Sequence, residues 1–348
     1  MNNNKTILVN SWYATYIDGN VTELEHYLKT QFHPIINKLA NKVKLVKGVL
    51  FFIAGKKFDI IITHTADQQV TATLIILEAL FSSKKNRVVL LEFIQGTPQK
   101  RISRLIWPIW VKIFWGPGLR KTLVKAQVLT LKERELYANV FKVPVERFTF
   151  IPWPLHYNKE RQLNEFILSN PFHTADEQNP QYVMVSGRAN VDWETVFNAF
   201  KKSSWNLLAV CSARHLNRVN QLNEGKKAKV LIDISQEEHA FYVKNSTVYA
   251  LCLEESDVSV GQVRLMNTIE HGVPVVVTKV AGLEGYAIDG VNSLIIPPND
   301  ADALKFAIDK LINNHLLREQ LVSGAQNFQE GSTFEVYIEK IKNLITSV

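Results

Sequence analysis

Short, almost unbroken runs of apolar residues, rich in branched side chains, recur along the chain. They are FDIIITH (58–64), RVVLLEFI (87–94), YVMVS (182–186), NLLAVC (206–211), KVLIDI (229–234), VYALCL (248–253) and PVVVT (274–278). A strand with one wet face alternates apolar and polar residues, whereas runs without alternation must be buried on both faces, as in a parallel sheet covered by helices. The stretches between them have helical spacing: TATLIILEALF from Thr71, VDWETVFNAFKK and EEHAFYVKN. At the N-terminus, Thr6–Asn10 reads as a strand, the polar residues through Asn20 as a loop and Val21–Lys29 as a helix. KAQVLTLKERELYANVF adds a strand and a helix starting at Thr130 or Lys132. The class is α/β.

With 348 residues, about two domains of ordinary size are expected. The strand–helix rhythm breaks over 159–179, a polar stretch with few apolar anchors, and restarts at QYVMVSGRAN. We therefore expect an N-terminal domain over 1–158, a linker over 159–179, a C-terminal domain over 180–332 and a terminal helix over 333–348. Both domains read as Rossmann-like and doubly wound, with a cleft between them.

Charge divides the chain at the same place. Residues 1–158 carry 22 Lys/Arg and 10 Asp/Glu, whereas residues 159–348 carry 18 and 23. Between Glu92 and Glu133 there is no acidic residue, and Arg101, Arg104, Lys112, Arg120 and Lys121 alternate with Trp107, Trp110 and Trp115. Basic residues interleaved with aromatics suit a lipid headgroup surface. The same mixture suits nucleic acid, and it also suits aromatics packed in a core under solvated charges. Two cysteines exclude a disulfide framework, and no spacing for a structural zinc site occurs. No segment reaches the length of a membrane span, and the N-terminal apolar run is too short for a secretory signal, so the expected location is cytoplasmic, peripheral on the inner membrane face.

In open α/β sheets, ligands bind beyond the carboxyl ends of the strands. Two turns there offer anion-binding chemistry. In VSGRANVDW, Gly187 lets the backbone approach a ligand and Arg188 offers a guanidinium fork. In DVSVGQVRLMNTIEHGVP, Gly261 and Gln262 open a helix whose first N–H groups suit a phosphate. Together they describe a diphosphate pocket.

The segment SVGQVRLMNTIEHGVPVVVTKVAGLEGYAIDGVNSLIIPPNDADALKFAIDKLI resembles the donor domain of GT-B glycosyltransferases, particularly those of family 4 (group 1). The resemblance extends to SGRANVDW and TLKERELYANVFKVPVERFTFIPW and covers roughly two thirds of the chain. Residues 1–86 match only as a generic Rossmann-like pattern. It implies the GT-B fold, two Rossmann-like domains facing a central cleft. The implied activity is transfer of a sugar from a nucleotide diphosphate donor to an acceptor hydroxyl, with retained configuration and no metal or other cofactor.

The chain departs from the family at several positions. Ser259 and Asn267 stand where the family has paired glutamates for the sugar and the ribose, and Trp193 stands at a basic position. By resemblance Asn267 can still bond a ribose hydroxyl, Glu270 is a possible stand-in, and Arg264 is a candidate second cation. A subset of the superfamily with a Gly-Gln turn is more similar to Gly261-Gln262. In the first domain, Glu92 takes the place of a histidine that faces the sugar, and a carboxylate there can act as a base on an acceptor hydroxyl. His64 and Asp67 are second candidates, and Asp18 and Gly19 are expected to approach the donor phosphates. The basic aromatic segment would bring a lipid-linked acceptor, fitting bacterial polysaccharide or glycolipid synthesis. A sugar-nucleotide epimerase and a catalytically silent membrane partner remain the alternative readings.

Overall fold

The computed structural model describes residues 5–95, 101–154, 168–173, 180–225, 227–256 and 259–348. The chain divides into two units, one formed by 1–152 with 337–348 and the other by 153–336. Most of the expected linker, 159–179, lies outside the described residues.

The first unit comprises β1 (Thr6–Asn10), β2 (Asn20–Glu23), α1 (Leu24–Gln31), α2 (Pro34–Lys42), α3 (Lys44–Gly55), β3 (Ile60–His64), α4 (Gln68–Phe81) and β4 (Val88–Leu91). It continues through α5 (Arg101–Trp110), α6 (Gly116–Thr122), β5 (Leu123–Val128), α7 (Leu131–Phe141) and β6 (Phe148–Phe150). Its six strands are parallel, in the order β2-β1-β3-β4-β5-β6. The unbroken apolar runs of β3 and β4 are buried on both faces, as their lack of alternation requires. Helix α3 approaches α4 so closely that a Cβ on Gly48 would lie 2.5 Å from Thr73 Cβ. Helix α7 is capped by Thr130, whose hydroxyl accepts from Glu133 N (3.1 Å) while the Glu133 carboxylate accepts from Thr130 N (3.0 Å).

The second unit comprises β7 (Val183–Gly187), α8 (Trp193–Lys201), β8 (Leu207–Cys211), α9 (Leu216–Leu222), β9 (Lys229–Ile232), α10 (Gln236–Lys244) and β10 (Val248–Leu251). After these come α11 (Gln262–Glu270), β11 (Val275–Thr278), β12 (Leu294–Ile296), α12 (Ala301–Asn313) and α13 (His315–Glu330). This sheet is also parallel, ordered β12-β11-β10-β7-β8-β9. The last helix, α14 (Phe334–Thr346), returns to the first unit from Tyr337 onward.

Three expectations are corrected. The segment expected as a helix from Val21 begins as a strand: β2 runs to Glu23, and α1 starts only at Leu24. Gly19 does not stand at the carboxyl edge of the sheet. Asn20 pairs with Thr6, so Gly19 lies beside the start of β1, at the edge opposite Asn10, and Asp18 there is bonded to Lys342 of α14 at 2.9 Å. In the basic aromatic segment, Trp115 is 3% exposed, and Trp107 and Trp110 pack against the same core. Arg120 donates to Phe141 O (3.0 Å) and Lys121 to Ala79 O (2.5 Å), so both cations tie the segment to its neighbours. Arg104 and Lys112 do lie exposed, beside the exposed aliphatics Leu105, Ile109 and Ile113. Arg101 opens α5, and its side chain lies outside the described residues. Among the described residues, no helix is long and apolar enough to cross a membrane.

Candidate functional site

In the second unit the chain turns sharply at the ends of β7 and β10. A Cβ on Gly187 would sit 2.0 Å from Val191 Cγ2, which explains the glycine there. Gly261 caps α11 with φ at +87°, and a Cβ there would meet Leu253 Cδ1 at 2.5 Å. At both positions a packed side chain leaves no room for a Cβ, and at Gly261 the positive φ also favours glycine.

Between these turns lies a polar cluster. Ser186 Oγ, at the last-but-one position of β7, is 2.7 Å from His239 Nε2 on α10 and 2.6 Å from Tyr249 OH on β10. The Arg264 guanidinium, from the first turn of α11, donates to the same Ser186 hydroxyl and approaches Tyr249 OH at 3.4 Å. The His239 pKa is pushed down to about 3, first by burial and then by Arg264, His271 and Arg188. Burial keeps the imidazole neutral, and the Arg264 guanidinium on the shared Ser186 hydroxyl places a cation beside it. Arg188 is exposed, and its carbonyl accepts from the guanidinium of Arg214.

The structure thus gathers Gly187, Arg188, Gly261 and Arg264 at one end of one sheet. Gln262 is close by, but its amide donates to Gly282 O and its side chain is buried, so it fastens the α11 N-terminus to the following loop. Asn267 is exposed, nearly one turn beyond Arg264. Glu270 ends α11, six residues from Arg264, a displacement of about 9 Å along the axis at the standard rise. That separation weakens it as a stand-in at the same site. Trp193, at the family's basic position, is 4% exposed and belongs to the core of the unit. The loop and helix start around it line a recess of about 510 Å³ with His215, Arg218 and Glu254.

In the first unit, His64 ends β3 and pairs with Leu91, so Glu92 and His64 share the carboxyl edge of the sheet. Asp67 lies just beyond and is bonded to Lys44 at 2.8 Å. Glu92 has a φ of +49°, a left-handed conformation that costs a non-glycine residue about 1–2 kcal/mol. Two bonds hold it there. Its N–H donates to Gln127 Oε1 (3.1 Å), and its carbonyl accepts from Thr65 Oγ1 (2.5 Å). The carboxylate accepts from Tyr13 OH through Oε1 at 2.6 Å. Tyr13 OH also bonds Tyr337 OH of α14, and Gln127 Nε2 donates to Tyr337 OH at 3.1 Å. Burial, Tyr337 and Glu92 raise the Tyr13 pKa far above the phenol range, so the phenol stays protonated and donates.

The sequence reading missed Ser186, His239, Tyr249, Tyr13, Gln127 and Tyr337. Ser186 had a signal, a hydroxyl at the end of an apolar strand directly before a Gly-Arg turn. Tyr337 had none, because its partners lie more than 200 residues away in sequence. Among the described residues, no group of three or more His, Cys, Asp or Glu could hold a metal ion.

Residues 196–328 match the family described as Glycosyl transferases group 1. No curated protein sequence matches. Among solved structures, Anabaena HepE in complex with UDP-glucose is similar at a TM-score of 0.65 and 12% identity, covering 99% of this chain and 100% of that one. A UDP-forming α,α-trehalose-phosphate synthase from Burkholderia xenovorans also aligns at a TM-score of 0.65, with 12% identity over 99% of this chain and 98% of that one. A glycosyltransferase from Rickettsia africae gives 0.63 at 13% identity, over 99% and 100%. The fold is GT-B, as the resemblance implied, and the group 1 signature lies in the second unit.

Proposed function

We propose that this chain is a glycosyltransferase that moves a sugar from a nucleotide diphosphate to an acceptor hydroxyl, with retained configuration. The observation that carries this reading is Arg264 bonded to the Ser186 hydroxyl that His239 also meets, with Arg188 two residues further on at the same strand end, within the unit that holds the group 1 match. A diphosphate placed there gains two cations and the N–H groups of α11, which have no intrahelical acceptor. The bond between anomeric carbon and β-phosphate oxygen breaks, its electrons pass to the diphosphate, and the cations stabilise the charge that develops. This is electrostatic work that a metal does in other transferases, so the reaction proceeds without one.

Uridine is the first base to test, since a protein of the same fold is seen with UDP-glucose and another forms UDP. The acceptor oxygen bonds to the anomeric carbon on the face the diphosphate leaves, and its proton passes to a base. Glu92 is the proposed base, because Tyr13 fixes one carboxylate oxygen and leaves Oε2 without a hydrogen-bond partner among the described residues. Exposed Arg104 and Lys112 beside Leu105 and Ile109 support a membrane-bound or lipid-linked acceptor on the inner face of a membrane, as in bacterial polysaccharide or glycolipid synthesis.

Nucleotide release tests the reading: the protein is incubated with UDP-, GDP-, TDP- and CDP-sugars and a membrane lipid extract. One sugar nucleotide should yield free nucleotide only with extract present, and Arg188→Ala should weaken nucleotide binding by at least ~1 kcal/mol. Turnover of a sugar nucleotide without acceptor would point to an epimerase. Ser259 and Asn267, in place of two glutamates, favour a silent partner as the second reading, and it predicts no nucleotide binding at all.

A further inference from the structure

Residues 26–58 hold seven lysines and no Asp or Glu, a second acid-free stretch besides the tryptophan-rich one. They form most of α1, all of α2 and all of α3. Ile35, Leu39 and Val43 recur every fourth residue along α2 and its end, and Leu45, Val49 and Ile53 do the same along α3, so each trio forms one stripe. All six are exposed, from 37% for Val49 to 72% for Ile35. The core needs none of them: α3 packs inward through Leu50, Phe51 and Phe52. Exposed apolar residues are ordinary singly, but two such stripes on consecutive helices that pack on each other form an apolar surface of the kind that marks an interaction.

The charges select the occupant. Lys44 is bonded to Asp67 and Lys47 to Glu25. Lys38, Lys42, Lys56 and Lys57 are exposed and have no carboxylate partner among the described residues. A second copy of the chain would set lysines against lysines, which costs free energy. Nucleic acid would meet aliphatic side chains that offer no stacking face. A bilayer with anionic headgroups satisfies both halves, the stripes entering the headgroup boundary and the lysines meeting phosphates.

We propose that the α2–α3 surface docks the protein on an anionic lipid bilayer. The inference rests on the membrane-acceptor reading above for its use in catalysis, and on the surface itself for binding. Co-sedimentation of the full chain with vesicles tests it. The protein should pellet with phosphatidylglycerol-containing vesicles, stay in solution with pure phosphatidylcholine, and lose most binding in about 0.5 M salt. The variants Ile35→Ser/Leu39→Ser/Leu45→Ser and Lys38→Glu/Lys42→Glu should each lower the partition coefficient about tenfold or more, with unchanged melting temperature.

Wild-type protein that stays in the supernatant with phosphatidylglycerol overturns the proposal. So does wild-type partitioning by both variants while Leu105→Ser/Ile109→Ser on α5 abolishes it. A wild-type dimer on gel filtration that the serine variant splits would assign the surface to self-association instead. UDP calorimetry on the same samples keeps the two claims apart. Nucleotide binding without vesicle binding ends the docking face alone, and vesicle binding without nucleotide binding ends the donor reading alone.

Discussion

Arg264→Gln removes the guanidinium that shares the Ser186 hydroxyl with His239 and keeps a side chain able to bond that hydroxyl. Arg264 is half-buried and tied to Ser186 and Tyr249, so it is already aimed before any ligand arrives. A hydrogen bond to a charged partner contributes about 1.5–3 kcal/mol, which corresponds to roughly a 10- to 150-fold loss in UDP affinity. The same substitution removes the second-largest cause of the depressed His239 pKa, after burial, so that pKa should rise from about 3. Calorimetry gives the first quantity, and NMR titration of the imidazole gives the second. A Kd within about twofold of wild type would place the diphosphate elsewhere. An unmoved His239 titration would show that Arg264 and the imidazole do not share one electrostatic environment.

Glu92→Gln keeps an oxygen to accept from Tyr13 OH and removes the proton acceptor, so steady-state kinetics should show turnover falling at least about 100-fold with nucleotide affinity unchanged. A fully active variant would end the role of Glu92 as base. His239 makes stability depend on pH. Its folded pKa of about 3 lies below the ordinary 6.5, so below pH 6.5 the unfolded chain takes up a proton that the native protein does not. This contribution is complete above about pH 6.5 and is lost as pH falls toward 3, with a slope of up to about 1.4 kcal/mol per pH unit. Burial lowers the His271 pKa as well, in the same direction. Urea midpoints should be lower at pH 5 than at pH 7, and equal midpoints would contradict the burial of a neutral imidazole.

The fold was legible because its strands are apolar without alternation, a local pattern that needs no partner to be read. Thr130 and Glu133, three residues apart, were similarly local, and the helix starts where their reciprocal bonds form. Failures came where distant contacts decide. Val21–Glu23 shares the helical spacing of Leu24–Lys29, yet the open edge of β1 takes it as a strand. The same pairing carries Gly19 to the wrong edge for a phosphate. Tryptophans next to cations look alike in a membrane belt and in a core, and only the position of β5 and α7 turns Trp115 inward. At the site, Gly187 and Arg188 were visible as a turn, whereas the grip of Ser186, Tyr249 and His239 on Arg264 depends on three separate elements meeting.

The central claim is that the second unit holds a nucleotide diphosphate between Arg188 and Arg264, and calorimetric titration of the folded protein with UDP tests it most directly. The account predicts one saturable site, weakened at least about fivefold by Arg188→Ala and further by the added Arg264→Gln. Absence of binding heat for UDP, GDP, TDP and CDP alike, with the protein folded, would contradict it.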